Sequence, residues 1–486
     1  MRNTLNTIVK KLSYSDAFIL IIPMIGILGF VFQYEIEAIL ILCTLLIILL
    51  LSQHDVLPTF LLVVIIGMVP LARHADVEYF VPFFRMFEPF VSEEVQGMIQ
   101  NYEGNRFVYL VAPYVVYGVI VSFFLHFILY PEKFQIGRFF YPTIAVAVAV
   151  SIGGLGYTSF GEYFSFPAIF YVFFLGIGTV LAYIFLEMYL PRDNPYMGEY
   201  FAKMMLGVGI MGIGMLASGY YQNIDQIIEN GPSNMFQWRN NLSNNLLLSM
   251  PFAFYLALKK KHFALYFAIG VLQFFTLVLS YSRGGILFST LVFPFVLVST
   301  LALAKGERLK TIFTLTVVVA GLYLIFDTYI QPPIEIIEDL IARVTFSREE
   351  SRYRMFLQAL ERFREYPIFG TGFAKEVHYT PQPMALSWYH STISQVIGSM
   401  GLVGIVAYVY QELVRLFTIV EVRSKFNLAV LFSIIGFGGY SLVNVGYFVP
   451  LPFVVMVLTM FMVAERYNKI LKDNPELAKE EALSLK

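Results

Sequence analysis

Apolar blocks of about 18 to 25 residues recur from one end of this chain to the other, long enough as helices to cross a ~30 Å hydrocarbon layer. No other feature limits the fold as much. The composition agrees: 58% of the 486 residues are hydrophobic and 14% are charged. A soluble domain carries roughly 25% charged residues, so this chain has too few to cover a water-facing surface. The expected architecture is an all-α, polytopic transmembrane helical bundle.

Hydropathy divides the chain into about fourteen spans. They fall near residues 15–33, 35–52, 56–72, 107–130, 139–158, 164–189, 201–220, 241–258, 262–280, 285–304, 310–330, 391–416, 426–444 and 447–465. The Lys- and Arg-bearing connections are "RNTLNTIVKK", "YPEKFQIGR", "LPRDNPYMGEYFAK", "LKKKH", "AKGERLK", "RLFTIVEVRSK" and the tail "AERYNKILKDNPELAKE". All fall on one side of that arrangement, which the positive-inside rule makes the cytoplasm, with both termini there. The opposite side receives "GYTSFGEYF", the connection near 219–240, the turn "SYSRGG" and a long loop over 331–390. The basic amino terminus "MRNTLNTIVKKLSYSD" has no obvious small-residue cleavage site and reads as a retained first helix.

Residues 1–486 therefore read as a single integral membrane domain. Segment 73–106 mixes aromatics with acids and suits short helices in the outer interface. The 331–390 loop is too long to be structureless. Within it Tyr353, Phe356, Leu357, Leu360 and Phe363 recur at helical spacing, Pro367 ends that helix, and the whole reads as a helical cap over the outer mouth. A net charge of -1 gives no reason to expect a nucleic-acid partner. The single cysteine, Cys43, permits no intrachain disulfide.

Chemistry is expected where cations interrupt the apolar pattern on the outer side. Arg283, in "SYSRGGILF", breaks the positive-inside pattern in a turn too short to need charge for solubility. Such a residue is either a functional group or an anchor to lipid head groups. His390 lies where the long loop re-enters the membrane, in "SWYHSTISQVIG", with His378 a rival in the same loop. Arg352 lies at the edge of the cap helix's apolar face, and Arg354 on a different face, where solvent exposure accounts for it. Arg239 and Asn240 open another span. Arginines hold a diphosphate through planar, bidentate hydrogen bonds, and a histidine can accept a proton from an attacking hydroxyl. Together they suit transfer of a glycan from a lipid diphosphate. No metal-binding motif and no phosphate-cradling loop is present, so neither a metal nor another cofactor is expected.

The ordered set "SYSRGGIL", "SRYRMFLQALERFREYPIFGTGF" and "YHSTISQVIGSMGLVG" resembles the O-antigen ligase and polymerase (Wzy-type) superfamily. The resemblance falls on Arg283, on Arg352 with Phe356, on Pro367 with Gly370 and Gly372, and on His390 with Gly401 and Gly404. An earlier piece, "WRNNLSNNLLLSMPFAFYLAL", matches at Asn240 and Pro251. Phe356 stands where tryptophan is usual, and Ser391 where asparagine is usual. The similarity spans roughly 200–420. It implies a GT-C-like, metal-independent glycosyltransferase with catalytic His390, Arg283 and Arg352, and with Arg239, Asn240, Arg354 and His378 as candidate substrate contacts. Its partners would be a polyprenyl (undecaprenyl) diphosphate-linked oligosaccharide, a glycan acceptor, the lipid bilayer and a chain-length regulator, at the outer face of a bacterial plasma membrane. The acceptor would be a lipid-linked repeat unit for a polymerase, or a terminal acceptor such as lipid A-core, a wall polymer or a protein for a ligase. A lipid-linked-glycan flippase is the alternative outside enzymes.

Overall fold

The computed structural model describes residues 2–69, 106–155, 172–222, 239–259, 262–304, 306–329, 338, 351–373, 389–444 and 446–483. Segment 73–105 and most of the 331–390 loop lie outside them. The described residues are helical throughout, with no strand and one isolated bridge, Ser424 to Ala482. In chain order the helices are α1 (Arg2–Ser13), α2 (Asp16–Phe32), α3 (Glu35–Ser52), α4 (Thr59–Met68), α5 (Arg106–Leu129), α6 (Phe140–Gly154), α7 (Thr179–Tyr189), α8 (Met197–Gln222) and α9 (Arg239–Leu258). They continue with α10 (Phe263–Leu279), α11 (Arg283–Leu303), α12 (Arg308–Tyr329), α13 (Ser351–Glu365), α14 (Thr392–Val420), α15 (Lys425–Ser441), α16 (Val455–Asp473) and α17 (Pro475–Glu481).

Among the described residues, five helices are long and apolar enough to cross a membrane: α3, α8, α11, α12 and α14. A sixth counts if α1 and α2, bent by 74°, are one span. The described parts of the hydropathic blocks are largely helical, but several of these helices are short, such as α4 and α6, or carry polar residues, and the expected count of about fourteen spans is not reached among them. The helix that differs most from a lipid-facing span is α9. It packs against α8, α10, α11 and α15, and every residue from Leu242 to Leu258 is buried. A helix buried on all sides can carry polar groups that lipid would not tolerate. Here Asn244, Asn245 and Ser249 are inside, with Ser249 Oγ donating to Gln273 Oε1 of α10 at 3.2 Å.

One end of the bundle is held by ion pairs between the basic connections. Arg138 grips Glu421 through both carboxylate oxygens, at 2.6 and 3.1 Å, and Lys472 Nζ adds a third contact at 2.6 Å. Lys259, just past α9, pairs with Glu480 at 3.0 Å and with the fully buried Glu481, which also accepts from the Tyr255 and Tyr467 hydroxyls. Lys425 Nζ donates to the Glu480 carbonyl at 2.8 Å. The carboxyl of Glu421 is held down to about 2, first by the Arg138 hydrogen bond and then by Lys472, against the opposing effect of burial. A depressed carboxyl stabilises the fold above its ordinary value of 4.5 and loses that contribution as pH falls toward about 2. Thermal unfolding in detergent should therefore show stability declining across that window, and Glu421→Gln should flatten the decline. An unchanged slope in the variant would remove this pair from the stability account.

Candidate functional site

At the other end of α9 the starts of three helices come together through the end of α15. The first two residues of α9 are Arg239 and Asn240, both half-buried. Asn240 Oδ1 accepts from Ser282 Oγ at 3.0 Å and from the Tyr440 hydroxyl at 2.8 Å. Ser282 caps α11 by accepting from the Gly285 amide, and Arg283 follows as the first residue of that helix, exposed. Ser282 Oγ also lies 2.9 Å from the Tyr440 hydroxyl. Ring and hydroxyl thus meet two helix starts at once, and Tyr440 is 2% exposed.

The two glycines after Arg283 are there for packing. A Cβ on Gly284 would run into the Tyr440 ring, and one on Gly285 into Ser243 Oγ of α9. Only residues without side chains let α11 approach α15 and α9 this closely.

Four residues past Tyr440, the Asn444 carbonyl accepts from the Thr392 amide at 3.1 Å and from its hydroxyl at 3.3 Å. That contact brings in α14. Ser391 caps this helix by accepting from the Ser394 amide, and exposed His390 precedes it. His390 has φ +49, and Tyr281, before the Ser282 cap, has φ +54. Both helices therefore start from a left-handed, non-glycine residue followed by a serine cap, a conformation that turns the chain sharply but strains a residue bearing a Cβ. Arg239, Arg283 and His390 consequently lie at helix amino termini, where the backbone dipole adds to positive potential.

The glycine-rich turn after α13 serves a different purpose from the arginines. α14 is broken at Gly401, which has φ 59 and ψ -148. The break frees amides and carbonyls that apolar surroundings cannot satisfy. The turn satisfies them. Thr371 and Gly372 amides donate to the Gly398 and Ser399 carbonyls at 2.9 and 3.0 Å, and Leu402 and Val403 amides donate to the Pro367 and Ile368 carbonyls at 2.8 and 3.1 Å. Gly370 takes φ +68 and Gly372 φ +88 to fit. Gly401 is thus the point of a helix break, and the close helix contact at this level comes from Gly153 of α6, where a Cβ would lie 2.7 Å from Met400 Cα.

The remaining sequence candidates are placed as follows. Arg352 is in the first turn of α13 with its side chain outside the described residues, and Arg354 is exposed on the same helix. His378 lies outside the described residues. The apolar stripe of α13 is not the side that seats it. Tyr353, Phe356 and Leu357 are exposed, whereas Ala359 is 1% exposed and α13 packs on α14. Residues that the sequence reading passed over are Ser282, Tyr440 and Asn444; the signal for them was the glycine-rich run "GFGGYSLVN" at the end of an apolar block. Among the described residues, no group of three or more His, Cys, Asp or Glu is placed to hold a metal.

Among the described residues, an all-helical bundle with span-length apolar helices is the architecture of a membrane-embedded protein. Residues 268–409, less than a third of the chain, match the family described as O-Antigen ligase, so this stretch is similar to that family. The matched region contains Arg283, Arg352, Arg354, His378 and His390, and stops short of Arg239 and Asn240. No curated protein matches the chain.

Proposed function

We propose that the protein is a surface-polysaccharide polymerase with a GT-C-like arrangement of about fourteen spans. It transfers a glycan from a polyprenyl (undecaprenyl) diphosphate carrier to a lipid-linked repeat unit at the outer face of a bacterial plasma membrane, with both termini in the cytoplasm and without a metal. The observation that carries this reading is the tie through Tyr440 and Asn444 that sets Arg239, Arg283 and His390 at one end of the bundle. The ion-paired basic connections lie at the opposite end, a full α9 length away. Arg283, with Arg239 and Arg352, binds the diphosphate and stabilises the charge it gains on leaving. His390 takes the proton from the acceptor hydroxyl as the new C–O bond forms at the anomeric carbon and the bond to the diphosphate breaks. The products are the extended glycan and free polyprenyl diphosphate. Arg354, Asn240 and His378 are proposed substrate contacts, and a chain-length regulator a proposed partner. A second reading, transfer to a terminal acceptor, is favoured by the family's description as a ligase.

His390 provides the test. Its left-handed φ of +49 suits glycine, so His390→Gly removes the imidazole while relieving backbone strain. In membranes supplied with a lipid-linked oligosaccharide, transfer should fall by about 10²- to 10⁴-fold, the range for loss of a general base. The melting temperature should hold or rise. Wild-type transfer by His390→Gly and His390→Ala would overturn the assignment of the base, and transfer to lipid A-core without chain extension would favour the ligase.

A further inference from the structure

The first helix is attached to the bundle at a sharp bend. α1 contains Arg2, Lys10 and Lys11 and no acidic residue. It meets α2 at 74°, and α2, with 17 residues, measures about 25 Å, most of a hydrocarbon thickness without any help from α1. The elbow between them is fixed. Ser13, 1% exposed, donates to Gln53 Oε1 at 3.1 Å and its carbonyl accepts from the Tyr200 hydroxyl. Tyr14 donates to Asp55, and its ring lies 4.4 Å from that of Tyr200.

Beyond the elbow, Ile8 and Leu12 are 58% and 60% exposed, one turn apart on one face. Lys10 and Lys11 are exposed as well. Lys10 projects from nearly the opposite side to Leu12, and Lys11 borders the apolar edge, as the helical period requires. Asp55 lies close enough to Lys10 to feel its charge, yet it is already engaged by Tyr14 and the Leu57 amide. A helix with an open apolar edge, a basic flank and no acid is complementary to an anionic surface. It is not complementary to a second copy of itself, because like charges would meet.

We infer that α1 lies in the membrane interface, with Ile8 and Leu12 in the acyl boundary and Lys11, at the edge of that face, on the head groups of anionic phospholipids. The inference stands independently of glycan transfer. The test uses the full chain in lipid nanodiscs, in a Cys43→Ser background, with bimane attached at Leu12→Cys. Lipids brominated high on the acyl chain should quench the bimane strongly in phosphatidylglycerol. Lys11→Gln should reduce the equilibrium constant for membrane seating by about fivefold, from ~1 kcal/mol per basic residue near an anionic surface, and Lys10→Gln, on the far side of the helix, should reduce it less. Added salt should weaken quenching in the unmodified lysine background, and phosphatidylcholine should give little. Equal quenching in the two lipids would overturn the head-group contact. Absence of quenching in either lipid, with the melting temperature unchanged, would mean that protein covers α1 and would overturn the inference outright.

Discussion

Arg283→Ala should abolish glycan transfer and leave the protein folded and inserted. The side chain is exposed at the first position of α11, so truncating it opens no cavity. The cap on Ser282 and the Gly284 contact with Tyr440 do not depend on it. If its guanidinium stabilises the diphosphate as it leaves, removal should cost about 10²- to 10³-fold in rate, as for other groups aimed at developing charge. Arg283→Lys keeps the charge but loses the planar pair of donors, and should recover only a small part. Arg352→Ala should be comparably damaging. The measurement is product length and yield in membranes, alongside protein level and melting temperature. Full-length product from Arg283→Ala would end the diphosphate assignment; loss of product together with loss of the fold would instead make Arg283 a structural residue.

The largest effect on stability is expected at Gly401. A Cβ there would lie 2.6 Å from the Pro367 carbonyl oxygen, 2.8 Å from the Gly370 amide nitrogen and 2.8 Å from the Ile368 carbonyl carbon. All three are backbone atoms, so no flexible side chain can move aside. The φ of 59 with ψ of -148 is also close to a region reserved for glycine, costing a substituted residue about 1–3 kcal/mol. Displacing the turn would further strain the hydrogen bonds that join 367–372 to 398–403, each worth about 1 kcal/mol. Gly401→Ala should therefore destabilise by about 3–5 kcal/mol or prevent folding. Gly321→Ala on α12 is the control: nothing lies within 4 Å of the added carbon, so the helix should hold or gain slightly. Equal melting temperatures for the two variants would show that the turn is not a clasp.

The membrane class and the order of the cationic motifs were legible because charge inside an apolar run is costly and therefore conspicuous. Arg283 and His390 stand out in "SYSRGGILF" and "SWYHSTISQ" for that reason alone. Helix α13 was likewise readable from the spacing ahead of Pro367, although the burial of Ala359 against the bundle was not. Other features depend on partners distant in sequence. "SMGLVG" reads as ordinary span, and only the docked turn from 367–372 reveals that Gly401 breaks it. Tyr440 looks like an aromatic at a membrane surface until Asn240 and Ser282 are placed beside it. Hydropathy also treats α9 and α11 alike, while one is enclosed by protein and the other has Leu291, Phe295 and Val298 exposed. The asparagines of "WRNNLSNNLLL" were the available hint, since such a helix needs polar company.

The two ends of segment 374–388 are each held by a bond that does not involve the segment. The Phe373 amide donates to the Gly154 carbonyl at 2.9 Å, and the Tyr389 amide donates to Gln395 Oε1 at 3.1 Å. The helix start at Ser391 and the turn that clasps the break at Gly401 therefore keep their partners whatever the length of chain between these two fixed points.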